Sequence, residues 1–334
     1  MNSVNYNISN DFIREKTLSL NTPYIAGFWR RLFAFILDAL LISMFCGLIV
    51  SIFSNFLHQH PIISILAGYV YVILYFGLLN SHLNAGKTVA KQLLKIEVIS
   101  LDGKHLSVPS SMVRAAVLFA PMCLMSLSAY FSNTIFSWGI GLLLICLQAL
   151  IVYFYIFNRK NRRSVHDFIS KSIVINAQQN HNNLQIPSMW AKHKIFAALT
   201  VLVCLVSGIS SAVSQEQNNE MTNMQLKEMQ PEILHIKQIS DTNFNFFDIQ
   251  INRPEKLNNP FFAQQFVENL QRINPLFKDE RSEIFLILRT QLQFGLVSTG
   301  QYSTYTVEQT KTGLKIVEQA SSEFNQISFL SINF

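Results

Sequence analysis

With 334 residues, 14% charged side chains and a mean hydropathy of +0.26, the chain is too apolar for an ordinary water-soluble protein, in which about a quarter of residues are charged. Its net charge of +6 divides unevenly: residues 1–194 hold 16 Lys+Arg against 6 Asp+Glu, and residues 215–334 hold 10 against 14. The basic excess flanks apolar runs and forms no patch on a soluble surface, which argues against a nucleic-acid partner.

Residues 1–23 are polar, and the first apolar run continues past signal-peptide length, so they read as a cytoplasmic N-terminal segment and not a cleaved leader. The first run, Leu32–Phe53, has a single charge, Asp38. An Asp at the centre of a membrane helix costs roughly 2.5–3.5 kcal/mol and needs a partner or a function. Arg31 lies two helical turns earlier on nearly the same face. Asp38 is then either a protonatable cation or proton site, or half of a structural ion pair with Arg31 or Arg114. Arg30 reads as a side chain reaching to the headgroups.

Further apolar runs follow at Ile62–Leu79, Val113–Tyr130, Phe136–Phe157 and Ile195–Val213. Each has roughly the length that crosses a hydrocarbon core of about 30 Å. Pro121 interrupts the third, which is expected to kink. Lys and Arg alternate between loops. The segment through Arg31 has four, Ser54–Pro61 none, Asn80–Arg114 five, the turn near Ser132–Thr134 none and Asn158–Lys194 seven. The positive-inside rule then places the N-terminus and both long loops in the cytoplasm, and everything after Val213 outside it. The fifth run also resembles a secretory signal, and reads as an uncleaved signal anchor. All four cysteines lie in these runs with no CxxC spacing, so neither disulfide nor metal is expected.

Two loop segments carry chemistry. Gly86, Lys87, Thr88 and Lys91 could offer donors to an anion or lipid headgroup, or simply hold topology. The Walker pattern is absent, so nucleotide hydrolysis is not expected. His166 and Asp167 could relay protons, or Asp167 could cap the helix that follows. His58 and His60 are too few for a metal site. The tyrosines of the second and fourth runs, Tyr75 among them, read as interfacial anchors or packing residues.

Residues 215–334 are polar, Cys-free and mildly acidic. Met224–Ile239 has helical periodicity and Asn243–Asn252 alternates like a strand. Asn259–Ile273 reads as a helix capped by Asn258 or Asn259, with Pro260 in its first turn. Glu283–Thr290, Gln301–Gln309, Leu314–Gln319 and Gln326–Ile332 read as strands, with a turn at Lys311–Gly313. This predicts a small α+β extracytoplasmic domain on an antiparallel sheet, large enough to fold alone. No nucleophile constellation is visible, so a binding or assembly role is expected and not catalysis. No internal repeat is evident.

Three stretches together resemble the RDD family of bacterial membrane proteins: YIAGFWRRLFAFILDALLI (24–42), NAGKTVAKQLLKIEVISLDGKHLS (84–107) and NRRSVHDFISKSIVI (161–175). Arg31, Asp38 and Asp167 occupy the positions of the family's Arg and two Asp residues. Ala90 stands where its loop motif has a second Gly, and Ser172 where it usually has Thr. The resemblance implies a multi-span helical domain proposed to move an unidentified ligand.

The expected architecture is therefore an α-helical multi-span membrane bundle of about five transmembrane helices followed by the α+β domain. Its parts are an RDD-like domain over 24–176 with four spans, a cytoplasmic linker over 177–194, a fifth span over 195–213 and a periplasmic domain over 215–334. The expected setting is the inner membrane of a Gram-negative-type cell. The expected role is transport, or support of transport, of an ion or small solute through Asp38, Arg31, Arg114, His166 and Asp167. The alternative is a non-transporting scaffold or sensor anchoring a periplasmic binding domain. Membrane lipids, a protein partner for the C-terminal domain and a homo-oligomer are the expected associations, with no cofactor and no metal.

Overall fold

The computed structural model describes residues 25–130, 135–177, 186–214, 220–241, 244–278, 283–310 and 313–327. The expected N-terminal segment, the turn near Ser132–Thr134, the Lys311–Thr312 part of the predicted turn and the strand residues beyond Ile327 lie outside them.

Long uncharged runs of Leu, Ile, Val and Phe can satisfy their backbone in lipid only as helices. Among the described residues, four helices are long and apolar enough to cross a membrane. They are α1 (Phe28–Gln59), α2 (Pro61–Leu79), α4 (Val108–Leu124, extended by a 3₁₀ turn) and α5 (Ile135–Phe157). Their outer faces expose large apolar side chains, such as Phe33, Leu37, Met44, Leu48 and Ile52 on α1 and Val70 and Leu74 on α2. Water does not tolerate such faces, and lipid does, so this is a membrane protein. The loop expected at Ser54–Pro61 is instead mostly helix, because α1 continues to Gln59 through a non-helical Phe53. The fifth predicted run falls on a helix, Lys192–Ser214 (α7), whose side chains beyond Val206 lie outside the described residues.

The contacts divide the chain into two compact units. The first holds residues up to Ile42, Tyr71–Pro121 and Ile145–Leu205. Its polar end is built by the two long loops. Each contributes a one-turn helix and a strand: α3 (Val89–Leu93) with β1 (Ile96–Ser100), and α6 (Val165–Ile169) with β2 (Ser172–Asn176). The strands pair antiparallel, Val98 opposite Val174, and bury Ile96, Val98, Ile99, Ile173, Val174 and Ile175.

These two segments are a short internal repeat, contrary to the expectation from sequence. Thr88 and Ser164 are extended N-caps, and Lys95 and Lys171 both adopt left-handed φ, at 52° and 50°. Leu94 and Ser170 close their helices with backbone bonds to Ala90 O and His166 O. The pairing is symmetric about Val98 and Val174. The repeat is too short and too diverged for periodicity to reveal it. Lys91 and Asp167, both third in their helices, are the corresponding buried ions.

The second unit holds Ser43–Val70, Met122–Leu144 and Val206 onward. Its sheet has the order β3 (Ile233–Asp241), β4 (Phe244–Ile251), β5 (Glu283–Phe294), β6 (Val297–Thr310) and β7 (Gly313–Ile327). Pairing is antiparallel except between β4 and β5, which are parallel. The sheet is thus mixed and not purely antiparallel, because the helix α9 (Pro260–Ile273) is the crossover that a parallel pair needs. Asn259 caps α9 by accepting from Phe261 N at 3.0 Å. Phe262, Ala263, Phe266, Val267 and Leu270 form its buried stripe in one core with Phe247, Ile249, Leu286, Leu288 and Tyr305. The predicted helix over Met224–Ile239 is instead α8 (Glu220–Met229) followed by β3. Pro231 ends the helical path. A bulge between Ile233 and His235 then shifts the strand's phase, so that Ile233 and Ile236 are both buried at a helix-like spacing.

The β5–β6 turn packs within this unit against helical residues. Ser64 Oγ donates to Gln293 O at 2.7 Å, Gln293 Nε2 donates to Met122 O at 2.9 Å, and Ser126 Oγ donates to Gln293 Oε1. Phe294 and Leu296 are buried, and a Cβ on Gly68 would collide with the backbone of Phe294 and Gly295. Met122 O lies near the end of α4, where helical carbonyls lack partners, so Gln293 supplies one.

Candidate functional site

Asp167 is fully buried and sits third in α6. Its position in the first turn lets it accept from Ser164 N at 3.1 Å. Burying a carboxylate demands more than a cap, and two guanidiniums converge on it. Arg31 Nη2 donates to Oδ2 at 3.0 Å, and Arg114 donates through Nε and Nη2 to Oδ1 at 3.0 and 2.8 Å. Ser172 Oγ donates to Oδ1 at 3.3 Å. A serine hydroxyl here does what a threonine hydroxyl would. Arg31 also donates to Arg162 O and lies 5.4 Å over the Tyr155 ring. Arg163 donates to Ser172 O and Asp167 O and stacks on Phe168. One carboxylate thereby ties the head of α1, the first half of α4 and the α6 turn together.

Asp38 has different partners. Tyr75 Oη donates to Oδ1 at 3.0 Å, Ala90 N donates to the same oxygen at 3.1 Å, and Thr88 Oγ1 donates to Oδ2. The expected pairing of Asp38 with Arg31 or Arg114 is corrected: both arginines go to Asp167. Seven residues along a helix is about 10.5 Å of rise, too far for a direct contact once loop groups compete nearer to hand. Tyr75 is likewise a ligand of Asp38 and not a simple anchor. Ala90 lies within α3 with no left-handed φ, so this position does not need glycine's freedom.

The loop expected to bind an anion is spent inside the fold. Gly86, at φ 68°, abuts the Val98 carbonyl, where any Cβ would collide. Thr88 caps α3 and donates to Asp38. Lys87 pairs with Glu97 at 3.0 Å. Lys91 is buried and donates to Asn80 Oδ1. No set of open donors converges there.

The cluster's electrostatics follow from this burial. Burial, then the positive field of Arg114, pushes the Lys91 amine well below its usual range, against the opposing pull of Asp38 and Asp167. Burial also pushes the His166 imidazole down to about 3, although Asp167, 3.5 Å from its Nε2, favours the charged form. For Asp167 burial acts upward, but His166, Arg114, Arg31 and the Ser164 N–H outweigh it and hold the carboxyl well below the usual carboxylate range. The formal charges of Arg31, Arg114, Asp38 and Asp167 cancel. Among the described residues, His166 Nδ1 is a buried polar atom with no hydrogen-bond partner, and no group of His, Cys, Asp and Glu could hold a metal.

A pH dependence with a definite sign results. The unfolded chain takes up a proton on His166 near pH 6.5, and the folded chain does so only near 3. The His166 contribution to stability is full above about pH 6.5 and falls as pH drops, by up to about 1.4 kcal/mol per unit. The lowered Asp167 carboxyl adds loss of the same sign in stronger acid, and Lys91 extends it into the alkaline range. Thermal melts in detergent at pH 7.5 and 5.5 should show a lower Tm at pH 5.5. His166→Gln should flatten that difference, and an unchanged pH slope would remove His166 from this role.

The sequence picked out Arg31, Asp38, Arg114, His166 and Asp167, and the structure brings all five into this one unit. It missed Tyr75, Ser164, Ser172 and Asn80. Ser164 was legible as the N-cap three residues before Asp167, and Ser172 only through the family's Thr position; Tyr75 and Asn80 carry no local signal for this role. Compared with known proteins, residues 25–171 match the sequence model of the RDD family. No curated protein matches the chain, and no solved structure does.

Proposed function

We propose that the protein, whose residues 25–171 match the RDD family model, is a non-transporting membrane scaffold that presents its C-terminal sheet domain for binding or sensing in the envelope. The observation that carries this reading is the saturation of the buried ions. Asp167 has two arginines, a cap and a hydroxyl, and Asp38 has three donors. Nothing in that arrangement waits for a substrate. The loop charges favour an inner-membrane setting with the RDD loops in the cytoplasm and α7 carrying the chain across, which makes the sheet domain periplasmic. The hydrogen bonds of Gln293 with Ser64, Met122 and Ser126 suit a hairpin held in fixed register within its own unit.

A second reading, movement of a proton or monovalent cation, is favoured by one observation: the groups seen donating to Asp38 are all uncharged. A carboxylate so held can exchange a proton without breaking an ion pair. Asp38→Asn separates the two. It keeps one acceptor oxygen, and Thr88 can reverse its hydroxyl, so the variant should fold at a cost of about 1–2 kcal/mol. The expected result is that proteoliposomes of wild type and Asp38→Asn, pulsed with Na⁺, K⁺ or Li⁺, show no pH-linked flux above empty vesicles. Flux in wild type that vanishes in a folded Asp38→Asn protein would overturn the scaffold and establish exchange.

A further inference from the structure

The first unit contains a cavity of about 590 Å³ that the charge cluster does not use. Its walls are Tyr153 and Phe157 from the last turns of α5, and Trp190, His193 and Phe196 at the start of α7. Arg159 and Lys160, both exposed, also line it. Tyr153 Oη and His193 Nδ1 are 3.0 Å apart, which fixes two of the walls to each other. Lys192 lies 5.4 Å over the Trp190 ring, and Trp190 meets His193 edge-on at 5.3 Å.

We propose that this cavity binds one anionic phospholipid, its phosphate held by Arg159 and Lys160 and its glycerol and upper acyl carbons lying on the aromatic walls. Three features carry the assignment. First, α5 is long and apolar enough to cross a membrane and ends at Phe157, so the cavity lies at the level of the headgroups. Aromatic walls with one polar tip suit that depth. Second, the charge is one-sided. Residues 158–194 hold seven Lys+Arg and one acid, and that acid is Asp167, buried and already paired with Arg31 and Arg114. No acid of this segment answers Arg159 or Lys160. Third, the lining is mainly aromatic, with the two cations Arg159 and Lys160 exposed, a combination that matches an acyl–glycerol–phosphate and mismatches a free anion.

The test uses the full chain with Trp29→Phe and Trp138→Phe, which leaves Trp190 as the fluorophore. It is reconstituted in phosphatidylcholine vesicles containing a minor fraction of brominated phosphatidylglycerol, or the same fraction of brominated phosphatidylcholine. Trp190 should be quenched more by the brominated anionic lipid. Apparent affinity for that lipid should fall about 30-fold in Arg159→Gln/Lys160→Gln, the loss of two interfacial cation contacts. Lys104→Gln, a change at an exposed cation on another loop, should leave it unchanged. Equal quenching by both lipids would overturn the site in the unmodified cavity, whatever the variants do. So would excess quenching that survives the double variant, that is lost equally in Lys104→Gln (diffuse surface charge only), or that inorganic phosphate alone displaces (a free-anion site).

Discussion

Asp167→Asn will leave little folded protein in the membrane, and what is recovered will melt about 10 °C or more below wild type. The substitution is nearly isosteric, so packing is not the cause. It removes the charge that balances Arg31 and Arg114, both buried and both aimed at the lost carboxylate. Removing one partner of a buried ion pair costs about 3–5 kcal/mol, because the remaining charge stays desolvated; for a protein of this size that is of order 10 °C. Adding Arg31→Met to Asp167→Asn should restore part of the loss, since one uncompensated guanidinium goes with it. Membrane abundance and detergent melting curves for the two single variants and the double variant give the coupling. A single Asp167→Asn variant within about 2 °C of wild type would mean the triad contributes little, and the scaffold reading would lose its main support.

Gly68→Leu will free the β5–β6 hairpin from its seat. In a lipid-facing helix, Gly to Leu is ordinarily favourable. Here the added side chain meets the backbone at Phe294 and Gly295, which cannot swing aside as a flexible side chain would. The expected cost is at or above the upper end of the overpacking range, about 3 kcal/mol. It should appear as faster protease cleavage in the hairpin, where Arg289 offers a tryptic site. Gly47→Leu is the matched control, because a Cβ at Gly47 meets nothing within 4 Å. Equal proteolysis of the two variants would show that the hairpin does not depend on this seat.

The long spans were legible because their apolar runs are unambiguous, and the individual ions because charge in or beside such runs is costly. Their pairing was not. Helical phase relates Arg31 to Asp38 along one helix, but cannot see a residue more than a hundred positions away arriving on a loop. Arg31 meets Asp167 where the chain before α1 pairs with β2, Ile25 opposite Ile175 and Ala26 N donating to Val174 O. Lys91 read as a donor to an anion or headgroup, or as a cation holding topology, for the same reason: its burial is a tertiary fact. In the C-terminal domain, α9 was readable from its cap, its first-turn proline and its apolar stripe. The parallel β4–β5 pair follows from that helix lying between two strands, a step that alternation within each strand does not supply.

The hairpin seat also orders the protein's biosynthesis. Ser64 and Gln293 are 229 residues apart in the chain. Translation emits α1, α2 and α4 long before β5, so these helices enter the bilayer with the Ser64 hydroxyl and the Met122 carbonyl still unpaired. The turn that completes this packing is made after all three of these helices and is carried by a sheet with its own core. The seat therefore cannot form until Gln293 has been made. A chain stalled before Gln293 has its helices but lacks the residue that supplies partners to Ser64 and Met122.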